Sequence, residues 1–91
     1  MQHMPTPIVA LNRAAALAMR DGPEAGLQAL APLMENKALQ GYHLAHAALA
    51  DMHRQLGHQD AAAQAYTQAL ALATQPAEKR FLQQRLADLS G

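Results

Sequence analysis

The chain has no cysteine and no tryptophan, and aromatic residues make up only 3% of its 91 positions. Without cysteine it forms no disulfide and offers no thiolate as a metal ligand or a nucleophile. No apolar run approaches the roughly 20 residues of a membrane-spanning helix, and the first residues do not have the layout of a signal peptide. We therefore expect a cytoplasmic protein that makes no contact with a membrane.

An excess of charge of one sign is also missing. Seven basic and seven acidic residues give a formal net charge of zero, and no cluster of Lys and Arg stands out. Binding to the phosphates of nucleic acid depends on clustered basic residues. We therefore expect no direct contact between this chain and DNA or RNA.

Alanine is abundant, with 22 copies in the chain. Alanine has the highest helix propensity, and the β-branched residues that favour strands are scarce. A chain of this length forms one domain with a modest core. The composition therefore predicts a single all-α domain over residues 6–91. Residues 1–5, which include Met1 and Met4, are expected to be a remnant of expression or a disordered start.

Capping residues divide the chain into about five antiparallel helices. Thr6 is a good N-cap residue before Pro7, which suits the first helical position. Gly22 then stops one helix and Pro23 starts the next. The predicted helices span residues 8–21, 24–34, 43–56, 60–73 and 76–89.

The second predicted helix contains Pro32. A proline inside a helix removes a hydrogen-bond donor and clashes with the preceding turn. This helix should therefore end or kink near Ala31, and residues 34–40 should form a longer connection to the third helix.

A spaced pattern runs through residues 42–76: HxxLAxxH from residue 46, AxxxY from residue 62, and Pro76. It resembles the tetratricopeptide (TPR) repeat, a helix–turn–helix unit of about 34 residues with W-x2-L-G-x2-Y, A-x3-F and a proline. Its small residues Ala50 and Ala62 let two helix backbones approach closely. Gly22 precedes Gly57 by 35 residues, which indicates a degenerate first copy. The resemblance implies TPR-like helical hairpins in a right-handed superhelix, with two repeats and a capping helix.

Four longer runs carry a closer resemblance: PIVALNRAAALA from residue 7, GPEAGL from 22, GYHLAHA from 41 and PAEKRFL from 76. They are similar, in the same order, to the TPR-like C-terminal extension of extracytoplasmic-function (ECF) sigma factors of bacterial RNA polymerase. The resemblance implies that the chain is a fragment whose promoter-recognition domains lie upstream. It also implies a regulatory domain that modulates transcription initiation by docking onto the sigma factor's own domains or onto the polymerase.

Two other functions remain open. One is a stand-alone TPR adaptor that is unconnected with transcription. The other is a ligand or metal sensor that uses a stripe of histidines on the third predicted helix, formed by His43, His46 and His53. We expect these histidines to serve packing and the groove instead, because no carboxylate or second-helix ligand accompanies them.

Polar residues on the first helix of each hairpin are the candidates for an interaction groove. They are Asn12, Arg13, Arg20, His43, His46, Asp51 and Arg54. Catalysis finds no support, because the single serine is Ser90 at the end of the chain. We expect no enzyme activity, no catalytic residue, no cofactor and no bound metal.

Apolar residues give two further expectations. The first helix carries Ile8, Val9, Leu11 and Leu17, which upstream helices would cover in a longer chain. Large exposed apolar patches are uncommon on monomers, so we expect a homodimer through this N-terminal edge. The last helix should cap the second hairpin with residues 81, 82 and 86.

Overall fold

The structure is a computed structural model that describes residues 6–90. The expected remnant or disordered start at residues 1–5 lies outside this range. The helices are α1 (Pro7–Asp21), α2 (Pro23–Leu30), α3 (Lys37–Gln40), α4 (His43–Gln55), α5 (Gln59–Leu72) and α6 (Pro76–Ser90), with a 3₁₀ helix over Ala31–Glu35. Residues 6–90 contain no strand, which confirms the all-α prediction. None of these helices is long and apolar enough to cross a bilayer.

The predicted caps of the first hairpin are present. The Oγ1 atom of Thr6 accepts a hydrogen bond from the Val9 N–H at 3.1 Å, and Pro7 opens α1. Gly22 has φ of 105°, a value that residues with a Cβ rarely adopt, and its N–H donates to the Ala18 carbonyl at 2.9 Å. A single glycine therefore reverses the chain between α1 and α2.

The segment after α2 is more ordered than the sequence predicted. As expected from Pro32, α2 ends at Leu30 and gives way to the 3₁₀ helix. The prediction that residues 34–40 form a long connection is wrong, because Lys37–Gln40 in this segment form α3. Asn36 caps this helix by accepting a hydrogen bond from the Ala38 N–H at 2.8 Å, and Leu39 is buried in the core. The described residues thus form six α-helices instead of about five.

Two hairpins, α1–α2 and α4–α5, make the body of the fold, with α2 packed on α4 and α6 packed on α5. One core cluster joins the first hairpin to α3 and α4 and consists of Leu11, Ala14, Leu30, Leu39, Ala45 and Met52. A second cluster joins α4, α5 and α6 and consists of Ala50, Ala62, Ala65, Tyr66, Ala69, Ala73 and Leu82. Leu49 packs against both clusters, so the core is continuous.

Small residues bring the paired helices close together. A Cβ built on Gly26 would lie 2.3 Å from the Cβ of Ala18, so no side chain fits between α1 and α2 at this point. In the second hairpin Ala50 and Ala62 are both fully buried in the same cluster. The expectation of a close approach at Ala50 and Ala62 is consistent with this burial, whereas the sequence did not reveal the role of Gly26.

Two expectations about apolar residues need correction. Leu11 is 4% exposed and belongs to the core, while Ile8 and Val9 remain 47% and 41% exposed on the outside of α1. Phe81 is 53% exposed, although Leu82 beside it is buried. Successive residues on a helix point about 100° apart, so only one of this pair reaches the core. The second hairpin is covered by residues 82, 86 and 89.

We predict that Gly26→Ala lowers the free energy of unfolding by about 1–3 kcal/mol, because the added methyl overpacks the contact with Ala18. Gly41→Ala is the matched control, since a Cβ at Gly41 would meet only the Lys37 carbonyl oxygen at 3.9 Å. Urea denaturation of both variants measures the difference. Equal stability of Gly26→Ala and the wild type would contradict the close approach of α1 and α2.

A candidate protein-interaction surface

One face of α4 is open to solvent between α1 and α6. It carries Leu44, Ala48, Asp51 and Gln55, which are spaced by three or four residues and therefore share one side of the helix. Ala47 flanks this face on the side of α6. The face therefore has α1, the first helix of the first hairpin, on one side and α6 on the other.

A groove of about 230 Å³ separates this face from α1. Its α1 side is formed by Ala15, Ala18 and Met19, and its α4 side includes Ala48 and Asp51. Met19 is 89% exposed, although methionine side chains are usually found in cores. The groove therefore presents a flexible apolar side chain next to a carboxylate.

A second depression of about 260 Å³ lies between α4 and α6. Leu44 and Phe81 flank it and are 46% and 53% exposed. The guanidinium of Arg85 lies 5.1 Å from the centre of the Phe81 ring, in cation–π geometry. At the end of the depression the Nε2 atom of His43 contacts the Oε2 atom of Glu78 at 2.8 Å, which links α4 to α6.

We call these two regions together the inner surface and define it by Met19, Leu44, Asp51 and Phe81. Three of these residues are large apolar side chains that are about half exposed or more. Scattered single apolar residues are normal on protein surfaces, but several along adjacent grooves are typical of sites where a partner binds. The inner surface is therefore the best candidate for a functional site.

A hydrogen-bond network fixes the polar part of this surface. The Oδ1 atom of Asp51 accepts from the Arg54 Nη2 at 2.6 Å and from the Tyr66 hydroxyl at 3.4 Å, and its Oδ2 atom accepts from Gln55 at 2.9 Å. Arg54 Nε also donates to the Tyr66 oxygen at 3.3 Å. These contacts raise the pKa of Arg54, mainly through the hydrogen bond to Asp51. Burial raises the pKa of Tyr66. Asp51 thus holds α4 and α5 together as well as facing the groove.

The histidines of the stripe do not converge. His43 turns towards α6, whereas His46 and His53 line a cavity of about 590 Å³ between α4 and α5, on the face of α4 opposite the inner surface. His46 Nε2 lies 2.8 Å from the Gln40 carbonyl oxygen, and His53 Nδ1 lies 3.1 Å from His58 Nδ1. Within residues 6–90 no group of three or more His, Asp or Glu side chains is arranged to hold a metal ion.

The remaining predicted groove residues lie on α1. Arg13 and Arg20 line a groove of about 450 Å³ between α1 and α2, away from the inner surface. Arg20 forms two hydrogen bonds to the carboxylate of Asp21, at 3.0 and 3.2 Å. Asn12 is exposed and precedes Met19 by seven residues, so both lie on the same side of α1. The structure therefore places Asp51 in the inner surface, Asn12 on the side of α1 that carries Met19, and the two arginines elsewhere.

Sequence reasoning missed the apolar part of the surface. Phe81 was expected to cover the second hairpin, and Met19 was not among the predicted groove residues. The sequence did contain an indication that Phe81 is exposed. Leu82, Leu86 and Leu89 already form one apolar stripe at helical spacing, and Phe81 lies outside it.

Comparisons with known proteins assign the chain to no family. No family model and no solved structure matches the chain. An uncharacterized protein of Rhizobium meliloti (strain 1021) is 40% identical over 86 residues, which cover 94% of this chain. The chain spans only 20% of the length of that relative. The domain is therefore similar to one segment of a much longer bacterial protein.

We predict that Asp51→Ala lowers the free energy of unfolding by about 1–3 kcal/mol, because the Tyr66 hydroxyl then loses its acceptor. Gln55→Ala removes a partner of the same carboxylate from an exposed position and should change stability by no more than about 0.5 kcal/mol. Thermal and urea denaturation test both variants. If the two substitutions cost the same, Asp51 does not link α4 to α5.

We also predict that acidification destabilises the domain through His53. Burial, and to a lesser extent the nearby His58, lower the pKa of His53 below its usual value of 6.5. The folded state therefore favours the neutral ring, so this contribution to stability is full above pH 6.5 and is lost as the pH falls through the folded-state pKa. Stability measured between pH 7.5 and pH 5 should fall less steeply for His53→Gln than for wild type. Parallel pH profiles would contradict the prediction.

Proposed function

We propose that this domain is a TPR-like protein-interaction module that regulates transcription initiation as the C-terminal extension of an ECF sigma factor. The observation that carries the interaction role is the inner surface, where Met19, Leu44 and Phe81 stand exposed along adjacent grooves. The connection with transcription rests on the resemblance of four ordered sequence runs to that group of bacterial sigma factors.

The arrangement of the helices supports a TPR-like architecture. Two hairpins turn at Gly22 and Gly57, which have positive φ angles of 105° and 80° and lie 35 residues apart. Paired helices meet through alanine and glycine, and the second helix of the first hairpin packs on the first helix of the second. In repeat proteins of this kind each unit packs on its neighbour and side chains of the first helices form the binding groove. The inner surface is formed in this way by α1, α4 and α6.

The proposed mechanism is docking. An apolar segment of the sigma factor's own upstream domains, or of the polymerase, packs against Met19, Leu44 and Phe81 and excludes water from them. The segment is thereby held where it controls the availability of the promoter-binding domains. The similarity to one segment of a longer bacterial protein is in keeping with a domain that works beside other parts of the same chain.

A TPR adaptor without any link to transcription is the second candidate. The inner surface supports it equally well, because apolar docking does not depend on the identity of the partner. The length and content of the native open reading frame separate the two candidates, since promoter-recognition domains upstream of Thr6 are required by the first and absent from the second.

Self-association through the N-terminal edge is a further part of the proposal. Ile8 and Val9 are half exposed at the start of α1, and the groove between α1 and α2 is lined by Ala10, Ala16 and Leu17. A dimer formed here would use the same patch on both copies. Contact through Ala10 and Leu17 would leave the inner surface free, because these two residues lie on a different side of α1 from Met19.

We predict that the double substitution Leu44→Ser and Phe81→Ser changes transcription from the cognate promoter when it is introduced into the full-length gene. Both side chains are about half exposed, so the fold should persist while docking is lost. Gln68→Ser, at an exposed position of α5 on the opposite cavity, is the control. Promoter output is compared at equal protein levels. Wild-type output and wild-type response from the double variant would exclude regulation through the inner surface.

A further inference from the structure

The turn between α4 and α5 brings two histidines together that are five residues apart in sequence. The Nδ1 atoms of His53 and His58 are 3.1 Å apart, and the ring centres are 5.3 Å apart with the planes tilted by 48°. His53 is half-buried at the end of α4, and His58 is exposed at the start of α5. The facing nitrogens therefore sit at the edge of the fold, where solvent ions reach them.

The backbone sets this distance. The His58 N–H donates to the His53 carbonyl oxygen at 2.8 Å, which closes the turn. Gly57 supplies the positive φ of 80° that the reversal requires. Both histidine side chains thus start from backbone positions that are fixed relative to each other, and little ordering is needed to bring their nitrogens together.

Two facing imidazole nitrogens at this distance are suited to hold a metal ion. A neutral ring offers one nitrogen lone pair, and histidine is the commonest protein ligand of transition metals. Zinc binds imidazole nitrogen at about 2.0–2.1 Å, so two nitrogens 3.1 Å apart would subtend an angle of roughly 100° at the ion. This angle lies between the tetrahedral and square arrangements. The distance also fits an N–H···N hydrogen bond from one ring to the other. An ion bound to both nitrogens would lie to one side of the line that joins them, so each ring turns about its side-chain bonds when the ion binds.

We propose that His53 and His58 form a binding site for a divalent late transition metal ion such as Zn²⁺, Ni²⁺ or Cu²⁺. When the ion binds, the ring that donated its Nδ1 proton exchanges that proton with water and takes its other neutral tautomer. Both rings then carry one proton on Nε2 and present an Nδ1 lone pair to the ion, and water fills the other coordination positions. This pair differs from the histidine stripe considered from the sequence, because His43 and His46 take no part in it. The site lies on the face of α4 opposite the inner surface and does not depend on the proposed function.

Ligand type gives the expected order of affinity. A site of two imidazoles and water follows the general order in which Cu²⁺ binds more tightly than Ni²⁺ and Zn²⁺. With two protein ligands the site should be weaker than a structural zinc site, which has four. Occupancy would tie the end of α4 to the start of α5 and so raise the melting temperature.

The test is calorimetric titration with NiCl₂, and separately with ZnCl₂, of the full chain at pH 7.5, where imidazole is mainly neutral. All variants carry His3→Gln, which removes the histidine outside the described residues. We expect one ion per chain, binding at least tenfold weaker in His58→Gln, and unchanged binding in His46→Gln. The exposed position of His58 allows the variant to fold, which circular dichroism confirms.

A second measurement locates the ion. Cu²⁺ added below one equivalent should broaden the imidazole NMR signals of His53 and His58 before those of His43 and His46. The proposal is overturned if His58→Gln binds as tightly as the parent, if His46→Gln loses as much affinity, or if all four histidines broaden together. Absence of any binding up to millimolar metal would overturn it as well.

Discussion

The close approach of paired helices is the constraint on which the rest of the structure depends. At Ala18 and Gly26 the two backbones of the first hairpin leave no room for another carbon atom, and the second hairpin buries Ala50 and Ala62 completely. Large side chains on these sides would push the helices apart. With so little apolar volume per residue, the core is filled mainly by alanine and leucine, and few large side chains are buried fully.

This thin core explains where the exposed apolar residues lie. Helices that contact each other through alanine are too close for large side chains to point between them, so Met19, Leu44 and Phe81 emerge along the grooves at the rim of each contact. The carboxylate of Asp51 makes the α4 side of the groove against α1 polar. Hydrogen bonds from Arg54 and Tyr66 hold the carboxylate in place. The exposed apolar residues of the inner surface thus follow from the close packing of the helices.

Helix type, turns and caps could be predicted from the sequence because they depend on local chemistry, as Thr6 and Gly22 show. The helix α3 escaped prediction because its four residues are too few to show a period, and its burial depends on Leu39 meeting distant residues. The same holds for the candidate site. Sequence spacing predicts which residues share a side of α4, but which neighbouring helix covers each side is a tertiary property. Phe81 and His58 were therefore misjudged or overlooked.

Leu49 of α4 packs against both core clusters and so connects them. In a nearest-neighbour description, a repeat array is stable when the free energy of each unit and of each interface sum favourably. Here the interface between the two hairpins is formed by α2 against α4. A partner bound across α1, α4 and α6 would contact both hairpins at once and so stabilise the interface between them. Binding would therefore stabilise the domain as a whole and not only a single hairpin.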